Sequence, residues 1–96
     1  MEKHALLCPK YEHAIQLFGK PWTGLILRCL QQEALRFTDL KIELKTISAK
    51  VLTQRIKELE AANVLSLDEN LYTLTEKGKA MSHALDEIQA WADRFD

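Results

Sequence analysis

The sequence predicts a mainly α-helical fold with one small β-hairpin. Three observations predict it. Gly and Pro number only three and two in 96 residues, so few residues are present that break helices. Apolar residues recur at spacings of three and four in several segments, most of them opened by Ser, Thr or Pro. Period-two alternation appears only between Val64 and Leu74, where Asp68-Glu69-Asn70 interrupts it.

The elements follow in order. A first helix starts after Cys8-Pro9, with Tyr11, Ala14, Ile15, Leu17 and Phe18 as its apolar stripe and Gly19 ending it. Pro21 suits the first turn of a second helix. The run Trp22 to Leu30 is apolar almost all round, which predicts the most buried element. Gly24 within it costs about 1 kcal/mol relative to alanine unless a neighbour packs closely there. Ala34 to Phe37 is short and extended in character. Thr38 then caps a brief helix carrying Leu40 and Leu44 inward.

Thr46 and Ile47 make a turn, and Ser48 caps a helix that runs to about Ala62. On a helical wheel Leu52, Ile56 and Leu59 share one side, while Lys50, Thr53, Gln54, Lys57 and Ala61 share the other. Asn63 suits the end of this helix because it tolerates the left-handed conformation. Val64–Leu67 and Leu71–Leu74 read as hairpin strands. Thr75 caps a long final helix, with Glu76 in a first turn that favours negative charge. Its apolar seam is Met81, Leu85, Ile88, Trp91 and Phe95. So small a domain cannot cover that seam, so part of it, with Tyr11 and Ile15, is expected to meet a second copy of the chain.

Composition bounds the function. With 47% hydrophobic and 28% charged residues, residues 1–96 read as a single ordinary globular domain. No apolar run approaches the roughly 20 residues of a membrane span. The N-terminal MEKHALLCPK does not read as a cleavable leader, so a cytoplasmic location is expected. Two cysteines make no disulfide scaffold or zinc motif, and His4, His13 and His83 are dispersed. No metal or cofactor is expected. Nor is an enzyme: no nucleophile with a base, phosphate loop or paired carboxylates can be found.

Charge is segregated. Residues 1–57 hold ten basic and five acidic residues, whereas residues 58–96 hold three and nine. Between Arg36 and Lys57 six basic residues face two acidic ones, which suits docking on a polyanion, double-stranded DNA above all. The order of elements is that of a winged helix-turn-helix with N- and C-terminal dimerisation helices. Such a fold lays its second motif helix in the major groove. Gln54 has the chemistry to bond adenine, Lys50 guanine or phosphate, Thr53 base or phosphate, and Lys57 phosphate. Backbone NH groups at Ser48 attract a phosphate, and Arg36, Thr38 and Lys41 fall where the motif crosses the backbone. The alternative is that this is only the solvated face of an amphipathic helix. Lys45 stays open, and Arg55 is open between an ion pair and a phosphate contact.

The segments Cys8-Pro9, Gly19 to Leu27, Arg36 to Leu40, Ile47 to Glu60 and Tyr72 to Gly78 resemble, in order, the HxlR family of small winged-helix transcription regulators, related to the MarR group. The resemblance implies a homodimer joined through its terminal helices, binding a roughly palindromic operator with one recognition helix per half-site. It also makes Cys8 a candidate redox or electrophile sensor, beside the plain reading of a partly buried cysteine. Two departures stand out. The family's longer basic wing is here reduced to Asp68-Glu69-Asn70, so the wing is expected to add little binding. Pro21 replaces the lysine usual before the tryptophan, a role that falls to Lys20 or to none. A pocket near Trp22, Trp91 and Phe95 reads as a small-molecule effector site or as dimer core. The competing function is a winged-helix interaction and dimerisation module without DNA binding.

Overall fold

The computed structural model describes residues 8–96, so His4 and the leader reading of the N-terminus fall outside the described residues. Along the chain come α1 (Pro9–Phe18), α2 (Thr23–Gln32), α3 (Phe37–Glu43), α4 (Ala49–Ala61), β1 (Leu65–Asp68), β2 (Leu71–Leu74) and α5 (Glu76–Phe95). This is the predicted winged helix-turn-helix. The core is built where α2, α3 and α4 converge, from Ile26, Leu27, Leu30, Leu40, Leu44, Ile47, Leu52, Ile56 and Leu59, closed by Val64 and Leu65. Burial of these side chains contributes about 1.5–3 kcal/mol each.

Helix ends follow local chemistry. The Ser48 hydroxyl accepts from Val51 N at 3.0 Å, and the Thr75 hydroxyl accepts from Gly78 N at 3.1 Å, each meeting one orphan donor of a first turn. Asn63 takes φ 63° after α4, as its side chain permits. The strands pair antiparallel, with Leu65 opposite Leu74 and Asp68 opposite Leu71. Leu35 adds an isolated bridge to Tyr72, which accounts for the extended character of the segment before α3.

Several expectations are corrected. Thr38 does not cap α3. Arg36 holds that position, and the Asp39 carboxylate accepts its backbone NH at 3.0 Å. Pro21 lies before α2, which starts at Thr23 with Trp22 as its cap. α2 is not buried all round: Thr23, Ile26, Leu27 and Leu30 are buried, but Leu25 is more than half exposed. Apart from the adjacent residues and the backbone of its own helix, no heavy atom lies within 4 Å of a Cβ placed on Gly24, so no close packing explains that glycine. Ile47 is core rather than turn, the reversal being carried by Lys45 at φ 52°. Asp68 belongs to β1, leaving a two-residue turn, Glu69-Asn70, with both φ positive. That is the geometry matched to strand twist in a tight hairpin.

Candidate nucleic-acid interface

α4 divides along its length. Leu52, Ile56 and Leu59 point into the core, while Lys50, Gln54 and Lys57 are exposed. Among the described residues none of these three makes an ion pair or a side-chain hydrogen bond. Thr53 is half-buried, and its hydroxyl donates to Ala49 O at 2.8 Å, so its proton is turned back on the helix. Ser48 is exposed at the start of α4 with its hydroxyl engaged as cap. Arg36 and Thr38 are exposed at the start of α3, beside a depression shared with Leu67, Asn70 and Tyr72 of the hairpin; Lys41 is half-buried. The hairpin tip presents Asp68 and Glu69, both exposed, next to this face.

Arg55 is not on that face. Its Nε donates to the Pro21 carbonyl at 3.0 Å, and its Nη1 lies 3.4 Å from Glu58, with the side chain mostly buried. Lys20 Nζ reaches the same Glu58 at 2.9 Å. Arg55 is thereby assigned to an ion pair, and it and Lys20 tie α4 to the segment between α1 and α2. That segment is a turn, Thr23 N donating to Lys20 O at 3.2 Å. Trp22 in it has φ 76° and ψ −19°, the second central position of a type II turn, where glycine is usual. A tryptophan there costs about 1–3 kcal/mol.

The far end of α4 is held from α5. Lys77 Nζ donates to Ala62 O at 2.7 Å, and the Thr75 hydroxyl, besides capping α5, donates to Asn63 O at 2.7 Å. A lysine on the last carbonyls suits the negative end of the helix dipole. These fixings are not legible in the sequence, where Thr75 and Glu76 signal only a helix start. α2 is likewise clamped to α5. Gln31 and Arg28 donate to Asp86 Oδ1 at 3.1 and 2.7 Å, and these bonds hold its carboxyl below the usual aspartate range.

Beyond this clamp α5 is uncovered. Met81 and Leu85 are half-buried against the chain's own core, but Ile88, Trp91 and Phe95 are each more than half exposed, as are Tyr11 and Ile15 of α1. Trp91 and Phe95 stack at 5.6 Å between centroids, and Arg94 lies over the Phe95 ring at 5.0 Å. Ile88 also borders a groove of about 290 Å³ with Trp22, Gly24, Leu25, Arg28 and Leu85. Cys8 is exposed at the cap of α1. Cys29 is half-buried, and burial, then Glu43, pushes its thiol pKa up. No group of three metal-ligating side chains occurs among the described residues, and none of their helices is long and apolar enough to cross a membrane.

The profile of the HxlR-like helix-turn-helix family matches residues 17–96. The chain belongs to that family. As an HxlR-like protein it is a DNA-binding transcriptional regulator and not an enzyme. It is 43% identical over 96 residues to the HTH-type transcriptional regulator YodB of Bacillus subtilis, covering 93% of this chain and 86% of YodB. YvaP of the same organism, also an HTH-type regulator, is 37% identical over 96 residues, covering 93% of this chain and 89% of YvaP. The crystal structure of quinone-bound YodB superimposes with a TM-score of 0.86 at 44% identity, covering 92% of this chain and all of that one. The family match thus takes in α2 to α5 and the end of α1.

Proposed function

We propose that the protein binds a roughly palindromic operator as a homodimer, with one α4 per half-site in the major groove. The observation that carries this is the outer face of α4, where Lys50, Gln54 and Lys57 stand exposed and without a protein ion pair among the described residues. Gln54 reads an adenine edge, Lys50 a guanine or a phosphate, and Lys57 a phosphate. Arg36, Thr38, Lys41 and the Ser48 end of α4 seat the motif on the backbone. The subunits meet through Tyr11, Ile15, Ile88, Trp91 and Phe95, with Met81 and Leu85 supporting the seam from within each chain. YodB's quinone makes an electrophile the favoured signal, and the exposed Cys8 at the head of α1 is the residue to receive it.

The test is anisotropy titration of a duplex that the protein itself selects from a random-sequence pool. Lys50→Ala should weaken binding and reduce the salt slope by about one counterion. Gln54→Ala should cost about 1–3 kcal/mol and relax preference at one base pair. Unchanged affinity in both variants would falsify the DNA reading. The acidic hairpin tip favours the second reading, an interaction module, which predicts that no duplex is enriched from the pool although dimerisation is intact.

A further inference from the structure

The turn between α1 and α2 holds a backbone strain that helix packing does not require. Trp22 sits at φ 76° with proline before it. A type I turn over the same four residues would place Trp22 at an ordinary negative φ and still close the bond from Thr23 N to Lys20 O. The two forms differ by a flip of the peptide joining Pro21 and Trp22, which reverses the direction of the Pro21 carbonyl. In the observed form that carbonyl meets Arg55 Nε of α4 at 3.0 Å. The strained conformation is therefore the one that lets the turn grip α4. Glu58 completes the grip, taking Lys20 at 2.9 Å and Arg55 at 3.4 Å. The adjoining Thr23 hydroxyl is buried with no partner among the described residues, so a second local cost lies beside the first.

We infer that the Lys20–Thr23 turn is a two-state latch on α4, with Arg55 and Glu58 as positioning residues for DNA binding. In the type II state Pro21 O and Lys20 hold the α1-facing side of α4 at the pitch that fits the major groove. In the type I state Arg55 loses the Pro21 carbonyl, and the turn keeps α4 only through the exposed Lys20–Glu58 ion pair. Because α1 feeds directly into the turn through Gly19, a displacement of α1 is transmitted to α4 without any change at the DNA face. The inference rests on the reading of α4 as the recognition helix, and it adds the regulation of that helix.

The sign of one substitution separates the latch from simple electrostatics. Glu58→Gln removes a negative charge from the recognition helix, so charge alone predicts tighter DNA binding. The latch predicts weaker binding, about tenfold. Arg55→Lys keeps the charge, and with it any phosphate contact, but one ammonium cannot replace the planar fork shared by Pro21 O and Glu58. It too should weaken binding about tenfold, with the salt slope of the wild type.

Both variants are titrated with the duplex selected by the wild-type protein, beside Lys50→Ala. Far-UV circular dichroism at the titration temperature reports the folded fraction, and Arg55→Lys alone decides if Glu58→Gln does not fold. Weaker binding by both variants, or by Arg55→Lys where Glu58→Gln does not fold, at unchanged salt slope supports the latch. Tighter or equal binding by Glu58→Gln, or Arg55→Lys affinity within about twofold of wild type, overturns it. Affinity unchanged by both Lys50→Ala and Gln54→Ala, titrated alongside, overturns the DNA reading instead.

Discussion

Replacing Gly78 with alanine is expected to destabilise the fold, although alanine is the better helix former. An added Cβ would clash with Val64 O and lie 3.3 Å from Leu74 Cδ2. The carbonyl cannot retreat freely, because it accepts from Thr75 N at 3.0 Å. Relief of about 1 Å must come from shifting α5 against the segment after α4. Such overpacking costs about 1–3 kcal/mol, and weakening the bond to Val64 O adds about 1 kcal/mol. Helix propensity returns about 1 kcal/mol. The net loss is about 1–3 kcal/mol, or roughly 5–20 °C in Tm for a chain of this length. The assay is urea denaturation followed by circular dichroism at fixed protomer concentration, since dimerisation makes stability concentration-dependent. Gly24→Ala is the control: with nothing within 4 Å of its Cβ, it should stabilise by up to about 1 kcal/mol. A Gly78→Ala protein as stable as the wild type would refute the close-approach argument.

Three other outcomes are expected. Asp86 has a depressed folded pKa, so its hydrogen bonds from Gln31 and Arg28 contribute stability above the ordinary aspartate range, and lose it as pH falls through the folded value. The difference in urea midpoint between wild type and Asp86→Asn should therefore be largest near neutrality and close on acidification; a pH-independent difference contradicts it. Iodoacetamide at neutral pH should modify exposed Cys8 before Cys29, whose thiol pKa is raised by burial; mass spectrometry showing Cys29 labelled first in the folded protein argues against this. Trp91→Asp should give monomers by sedimentation and lower operator affinity about a hundredfold or more, since two linked half-sites gain roughly 10²–10⁴ over one. A dimeric Trp91→Asp protein would remove α5 from the proposed interface.

Helix identity and the outward face of α4 were legible because both depend on periodicity and caps within one element. Ser48, Asn63 and Thr75 act locally and sit where local rules put them. Apart from local boundary shifts at the α3 cap and the hairpin turn, most failures involve a partner distant in sequence. Leu25 belongs to an apolar run, yet lies exposed beside Ile88 and Ala92 of α5 in the groove. Arg55 was ambiguous on the wheel because its partner is a backbone carbonyl 34 residues away. Pro21 looked like a helix start because nothing in the run announces that Trp22 will take a left-handed conformation. Gly78 carried no turn signal of its own; its necessity comes from Val64 O on the other side of the hairpin. The exposure of Ile88, Trp91 and Phe95 was foreseen from quantity rather than position, since the seam exceeds what so small a core can cover.

The supports of α4 bear on how the protein is regulated. Its core face rests on α2 and α3, its middle on the Lys20–Trp22 turn that ends α1, and its last carbonyls on Lys77 and Thr75 at the head of α5. The same α1 and α5 carry the exposed apolar seam proposed to join two subunits. No helix of the proposed dimer contact can therefore move without acting on one end or the middle of the helix proposed to read DNA. The acidic two-residue hairpin tip sharpens this dependence, because it offers no basic wing to hold a misplaced subunit on the duplex. With few contacts per half-site, binding depends on presenting both α4 helices at once, one helical turn of DNA apart or a multiple of it. A signal received at α1 then has no need to reach the DNA face. Changing the spacing or pitch of the pair is enough.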